Sequence, residues 1–165
     1  MVTTTVDAQA LAEACANRMW SGDHASQGLG MALDAVGPGT ARMSMKVRPE
    51  MVNGHGTCHG GYISMLADSA FAFASNTRGT VTVGAGFDIS FLEPAPPDDI
   101  LVAEAREVSL RGRSGIYDVT VRSGGTTIAE FRGRSRSLGR GMRVALRPHA
   151  RYATGKQAVR TIHGE

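Results

Sequence analysis

An α+β fold is what the sequence predicts, with an antiparallel sheet of about six strands wrapped round one long central helix. Three observations lead there. The stretch from His59 to Asn76 carries Gly61, Tyr62, Ile63, Met65, Leu66, Ala67 and then Ala70 to Ala74 with almost no polar stripe. A helix that is apolar all round is normally buried on all sides. Six segments of strand character flank it, two before and four after, each bounded by glycine- or proline-rich turns. The connections between the last four are short, and only antiparallel pairs can be joined without a crossover of about a dozen residues.

The elements follow in order. Asp7 to Met19 is alanine-rich, with Leu11, Cys15 and Met19 spaced by four, an N-cap candidate in Asp7 and a basic residue, Arg18, in the last turn. Ser21 to Gln27 is polar and breaks this helix. Leu29 to Val36 and Ala41 to Val47 alternate around Gly37-Pro38-Gly39 and read as a hairpin. Pro49 ends the second strand. After the central helix, strands are expected over Val81 to Leu92, Ile100 to Leu110, Ser114 to Ser123 and Thr126 to Leu138. Pro94 to Asp99, Arg111-Gly112-Arg113 and Gly124-Gly125 are the turns between them. The chain divides into an N-terminal helix and connection (1–27), a core domain (28–139) and a basic tail (140–165) that reads as solvated and partly disordered. A weakly helical stretch is expected over Gln157 to His163.

The chain has 165 residues, 42% hydrophobic and 20% charged, which suits one soluble globular domain. The net charge is +3, and beyond Arg132 the single acidic residue is Glu165. Such a tail can attract anions, but a solvated tail is the simpler reading. Two cysteines, Cys15 and Cys58, make no disulfide framework. No basic-then-apolar leader and no apolar run of about 20 residues is visible. A cytoplasmic protein without nucleic-acid or membrane partners is the expectation.

The chemistry concentrates between Val52 and Asp68. Gly54-x-Gly56-x-x-His59 lacks the third glycine and the preceding strand of a dinucleotide fingerprint. His55, Cys58 and His59 lack a fourth ligand, so no metal is expected. A helix starting near His59-Gly60-Gly61 presents unpaired N–H groups, and its glycines admit close approach. That is an oxyanion site. Asn53 adds an amide, and Asp68 adds a base or nucleophile. A lone carboxylate in an apolar helix is costly unless it is paired or used. Gly60 and Asp68 are eight positions apart, about 12 Å along a helix. They either serve different purposes or belong to a site shared between two chains with antiparallel helices. The second reading is preferred and implies at least a homodimer. Structural readings stand beside these: Asp68 as a hydrogen-bonded carboxylate, His59 as a cap, Cys58 as packing rather than a nucleophile.

Asn53-Gly54-His55-Gly56-Thr57-Cys58-His59-Gly60-Gly61 followed by Leu66-Ala67-Asp68-Ser69-Ala70-Phe71 resembles the signature of hotdog-fold acyl-CoA thioesterases of the PaaI type. Met19-Trp20-Ser21-Gly22-Asp23-His24-Ala25 precedes it as in that branch. Ile89-Ser90-Phe91-Leu92-Glu93-Pro94, Gly115-Ile116-Tyr117-Asp118-Val119 and Phe131-Arg132-Gly133-Arg134-Ser135 follow in the same order. The resemblance covers Met19 to Gly139. It implies a sheet round a central helix, dimers that often pair into tetramers, and hydrolysis of phenylacetyl-CoA or ring-hydroxylated forms. Asp68 matches the catalytic carboxylate, Gly60 the N–H that polarises the thioester, and Asn53 the residue orienting water or substrate. His59 shapes the site, and Gly61 is a substrate-binding candidate beside Gly60. No cofactor is implied, because coenzyme A is part of the substrate. Arg111, Arg113, Arg134 and Arg136 are candidates for its phosphates. Some relatives outside the branch place a hydroxyl near Gly84, which here has no side chain. A non-catalytic acyl-CoA-binding module on the same fold is the alternative. Met65, Phe71, Phe73 and Phe87 are either an aromatic pocket or plain core.

Overall fold

The computed structural model describes residues 7–145. The expectations for the tail beyond Ala145, including the helical stretch, lie outside the described residues. Within them, a six-stranded antiparallel sheet in the order β1-β2-β4-β5-β6-β3 wraps one side of a long helix. Its strands are β1 (Ala32–Gly37), β2 (Thr40–Lys46), β3 (Thr80–Phe91), β4 (Ile100–Arg111), β5 (Ser114–Ser123) and β6 (Thr126–Gly141). The helices are α1 (Ala8–Trp20), α2 (His24–Gly28) and α3 (Gly60–Ser75).

Strict alternation puts one face of each central strand on α3. Ala41, Met43 and Met45 of β2 are buried, as are Tyr117, Val119 and Val121 of β5. Their neighbours point to solvent and form ion pairs. Arg132 holds Asp118 through two contacts of 2.7 and 2.8 Å, and Arg122 lies 2.7 Å from Glu104. Ile63, Leu66, Ala67, Ala70, Phe71, Phe73 and Ala74 make the helix side of the core. Phe71 sits on Gly133 of β6, where an added Cβ would lie 2.8 Å from its ring. Gly133→Ala is therefore expected to overpack the core and cost about 1–3 kcal/mol, read as a lower melting temperature.

Two sequence expectations change. Ser21–Gln27 is not simply a break. After a tight turn, Asp23 caps the one-turn helix α2 through the Ser26 N–H at 3.0 Å. Ser26 Oγ meets Ser69 Oγ of α3 at 2.9 Å in the buried interior. Five residues are too few to show helical periodicity, so the helix exists by virtue of that contact. α3 is also not buried on all sides. Gly61 and Asp68 are exposed, and Ser64, Met65 and Ala72 are half-buried. Its own sheet covers one side and leaves the other open. Asp68, read as a buried charge, stands on that open side.

Helix ends are fixed locally. Asp7 caps α1 as expected, accepting from the Gln9 and Ala10 N–H groups. Asn76 closes α3 by donating to the Ala72 and Thr82 carbonyls at 3.0 and 2.8 Å and accepting from the Thr82 N–H at 2.9 Å. It thereby fixes where β3 leaves the helix.

Candidate active site

The loop before α3 is built around Asn53. Its Oδ1 accepts from the His55 N–H at 2.8 Å and the Thr57 N–H at 3.3 Å, and Gly56 turns the chain with φ of 77°. A side chain there would be strained. The loop is pinned at both ends, with the Cys58 N–H on the Ala95 carbonyl and the His59 N–H on the Met51 carbonyl, each at 2.8 Å. Cys58 is buried, and burial pushes its thiol pKa up, which suits packing rather than nucleophilic attack.

His59 is the N-cap of α3. Its Nδ1 accepts the Gly61 N–H at 2.9 Å, so the Gly61 donor is taken. The Gly60 N–H donates to no partner among the described residues. It lines a cleft of about 440 Å³ together with Asn53, Thr57, Phe91 and Glu93. The Phe91 ring lies against Gly60, where an added Cβ would come within 2.9 Å of it. One free backbone donor at a helix start, at the foot of a cleft, can hold a developing oxyanion.

Asp68 is elsewhere. It lines a second cleft of about 370 Å³ with Phe71, Ala72, Gly84, Gly86 and Phe87. Although the carboxyl end is exposed in the single chain, the surrounding apolar groups desolvate it and raise its pKa above the ordinary carboxylate value. Gly84 leaves this cleft without a hydroxyl. β3 bulges between Gly84 and Gly86, and Phe87 stacks on Phe131 at 4.7 Å. Of the aromatic residues singled out from the sequence, Phe71 and Phe87 line this cleft, whereas Phe73 is buried and packs on Trp20 of α1.

The structure thus brings Asn53, His59, Gly60 and Gly61 together and holds Asp68 apart, two turns down α3. The arginines do not join either cleft. Arg134 pairs with Asp88, Arg136 donates to Ser114 at 3.2 Å, and Arg111 is exposed at the end of β4. Arg113 donates from Nε to the Ser137 carbonyl at 2.9 Å and lines a third cleft. The sequence reading missed Phe91, whose signal was its place shortly before the Pro94 turn at the end of an apolar strand. Among the described residues, no three of His, Cys, Asp and Glu gather closely enough to hold a metal ion, and no helix is long and apolar enough to cross a membrane.

The six-stranded antiparallel sheet on one long helix is a hotdog fold, and the relatives of the chain place it in the thioester-hydrolysing class of enzymes. The chain belongs to the thioesterase superfamily, whose family model matches residues 55–130. It is 37% identical over 125 residues to the acyl-coenzyme A thioesterase PaaI of Escherichia coli, an alignment spanning 75% of this chain and 89% of the relative. The solved structure of the E. coli PaaI protein from the phenylacetic acid degradation operon superposes with a TM-score of 0.80 at 33% identity. It covers 83% of this chain and 100% of that one. A point mutant of the phenylacetic acid degradation protein PaaI from Thermus thermophilus gives a TM-score of 0.67 at 38% identity, covering 68% of this chain and 97% of that one.

Proposed function

We propose that this chain is an acyl-CoA thioesterase that hydrolyses phenylacetyl-CoA, or its ring-hydroxylated forms, to the free acid and CoA in sites shared between two protomers. The observation that carries this reading is the separation of the free Gly60 N–H from Asp68 into two clefts of one chain. Eight helical residues span about 12 Å, too far for one thioester carbonyl to touch both. With two α3 helices antiparallel, the cleft of one protomer faces the partner's Asp68.

The surface supports such pairing. β3 is an edge strand, and its side of the molecule exposes Phe87, Phe91 and Leu92 at 43%, 52% and 53%. An uncovered edge beside an apolar patch is the kind of surface that association buries. Together with the open side of α3 it gives a homodimer, and two such dimers give the tetramer that the family resemblance implies. Sedimentation is expected to return two or four chain masses. A monomer would contradict the shared site.

In the shared site the thioester carbonyl accepts the Gly60 N–H, and Asn53, held by Thr57, orients water or substrate. The partner's Asp68 acts in one of two ways. As a nucleophile its carboxylate attacks the carbonyl carbon, the C–S bond breaks, CoA leaves as thiolate, and water hydrolyses the resulting anhydride. As a general base it takes the proton of a water whose oxygen attacks the same carbon. Both need the carboxylate form. Because desolvation raises the Asp68 pKa, activity is expected to fall, as pH drops, at a higher pH than an ordinary carboxylate would give. The acid limb of kcat/KM measures this. A limb at or below the usual carboxylate range would contradict it. The aryl preference rests on Phe71 and Phe87 beside Asp68. Thiol release is expected to be faster from phenylacetyl-CoA than from straight-chain acyl-CoAs of similar length, and the opposite order would sink the substrate assignment.

A further inference from the structure

A third cleft, of about 160 Å³, opens at the C-terminal end of α3, between that end and strands β3, β4, β5 and β6. Gly60 and Ser75 are fifteen residues apart, so it lies about 22 Å along α3 from the free N–H. The thioesterase chemistry described above makes no use of it.

Its lining is rich in donors. Arg78 grips Glu107 with two contacts of 3.0 Å, and Tyr117 donates to the same carboxylate at 3.0 Å. Those bonds hold Glu107 below the usual carboxylate pKa, the Arg78 hydrogen bond foremost, so Glu107 stays anionic and cancels the charge of Arg78. Three of its roughly four acceptor sites are taken within the protein. Among the described residues Arg113 uses only its Nε, on the Ser137 carbonyl, and it lines the cleft. One net positive charge remains.

Ser135 adds a hydroxyl to these guanidinium groups. It is 4% exposed and lines the cleft, yet its hydroxyl bonds to no described residue. Glycine faces it on both neighbouring strands, Gly115 on β5 and Gly84 on β3. A Cβ on Gly115 would lie 2.6 Å from the Ser135 Oγ. The sheet is cleared around that hydroxyl, which keeps contact with the solvent of the cleft and stays open to a ligand. The carbonyls at the end of α3, which would repel an anion, are already engaged. Ser75 Oγ and Asn76 Nδ2 donate to that of Ala72, the Asn76 N–H to that of Phe73, and Thr77 Oγ1 to that of Ala74.

We propose that this cleft binds a small anion of carboxylate or phosphate size between Arg113, Arg78 and the Ser135 hydroxyl. At about 30 Å³ per water, the volume admits such a group with one or two waters. A guanidinium with open donors suits either oxyanion.

The test is calorimetric titration of the intact protein with inorganic phosphate and, separately, with succinate, in the absence of any acyl-CoA. Its outcome therefore does not depend on the thioesterase reading. Saturable binding of at least one probe is expected, at least tenfold weaker in Arg113→Gln and partly restored in Arg113→Lys. Ser135→Ala weakens it as well and serves as the second probe if Arg113→Gln is unstable. Arg42→Gln, on the solvent face of β2, leaves it unchanged. Saturation by phosphate alone identifies a phosphate-bearing ligand, and by succinate alone a carboxylate. Saturation by neither, or equal affinity in wild type, Arg113→Gln and Ser135→Ala, overturns the proposal.

Discussion

Asp68→Ala is expected to lower thiol release from phenylacetyl-CoA by about 10²–10⁴-fold, the range over which a positioned base acts. The protein itself should remain folded, because Asp68 stands on the open side of α3 and makes no side-chain hydrogen bond or ion pair among the described residues. Its removal leaves Ile63, Leu66, Ala67 and Phe71 packed against the sheet as before. The loss should therefore appear in kcat with an unchanged unfolding transition. Asp68→Asn keeps the shape and removes the charge, so it should share the loss and abolish the acid limb of the pH profile. Retained activity in either variant would remove Asp68 from the chemistry.

The second large effect concerns the backbone of Gly60. Proline is tolerated at the first position of a helix, where its missing N–H has no intrahelical acceptor. Gly60 occupies that position, and the preceding His59 already has φ of −64° and ψ of 133°, which suits a residue before proline. Gly60→Pro therefore deletes the proposed oxyanion donor while α3 persists. Gly60→Ala is the control, since both variants bring a Cβ against the Phe91 ring. Gly60→Pro is expected to be slower than Gly60→Ala by about 10²–10³-fold, the usual effect of one oxyanion donor. Equal rates would mean that crowding by Phe91, rather than the N–H, accounts for any loss.

The sequence made α3 and the sheet readable because period and punctuation agreed. Alternation in β2 placed Met43 and Met45 inside, and Gly37 to Gly39 and Gly124-Gly125 marked the hairpins. The positions of Asn53 in the loop and Gly60 at the helix start were readable because a glycine-rich turn runs into an apolar helix. What sequence could not supply was the environment of each face. An apolar helix reads as buried whether its own sheet or a second chain covers it, so Asp68 was placed inside when it stands at the open side. α2 depends on the Ser26–Ser69 contact across 43 residues, and no local pattern records that. The cleft around Ser135 likewise arises from four strands and a helix end meeting in space. Arg113 carried a phosphate-binding expectation from the family resemblance and its turn position, and its actual neighbours emerge only from the fold.

The shared site is tested most directly by mixing two inactive chains. Asp68→Ala keeps the Gly60 donor, and Gly60→Pro keeps the carboxylate. If each site takes one group from each protomer, a mixed dimer contains one complete site and one doubly defective site. Random pairing of equal amounts makes half the dimers mixed, so thiol release should recover to about one quarter of wild type. The two variants are co-refolded and assayed with phenylacetyl-CoA beside each variant refolded alone. Recovery toward a quarter is the result expected for antiparallel α3 helices sharing their ends. Activity no higher than that of the separate variants, in a preparation shown to contain mixed dimers, would place the donor and the carboxylate within one chain and contradict the shared site.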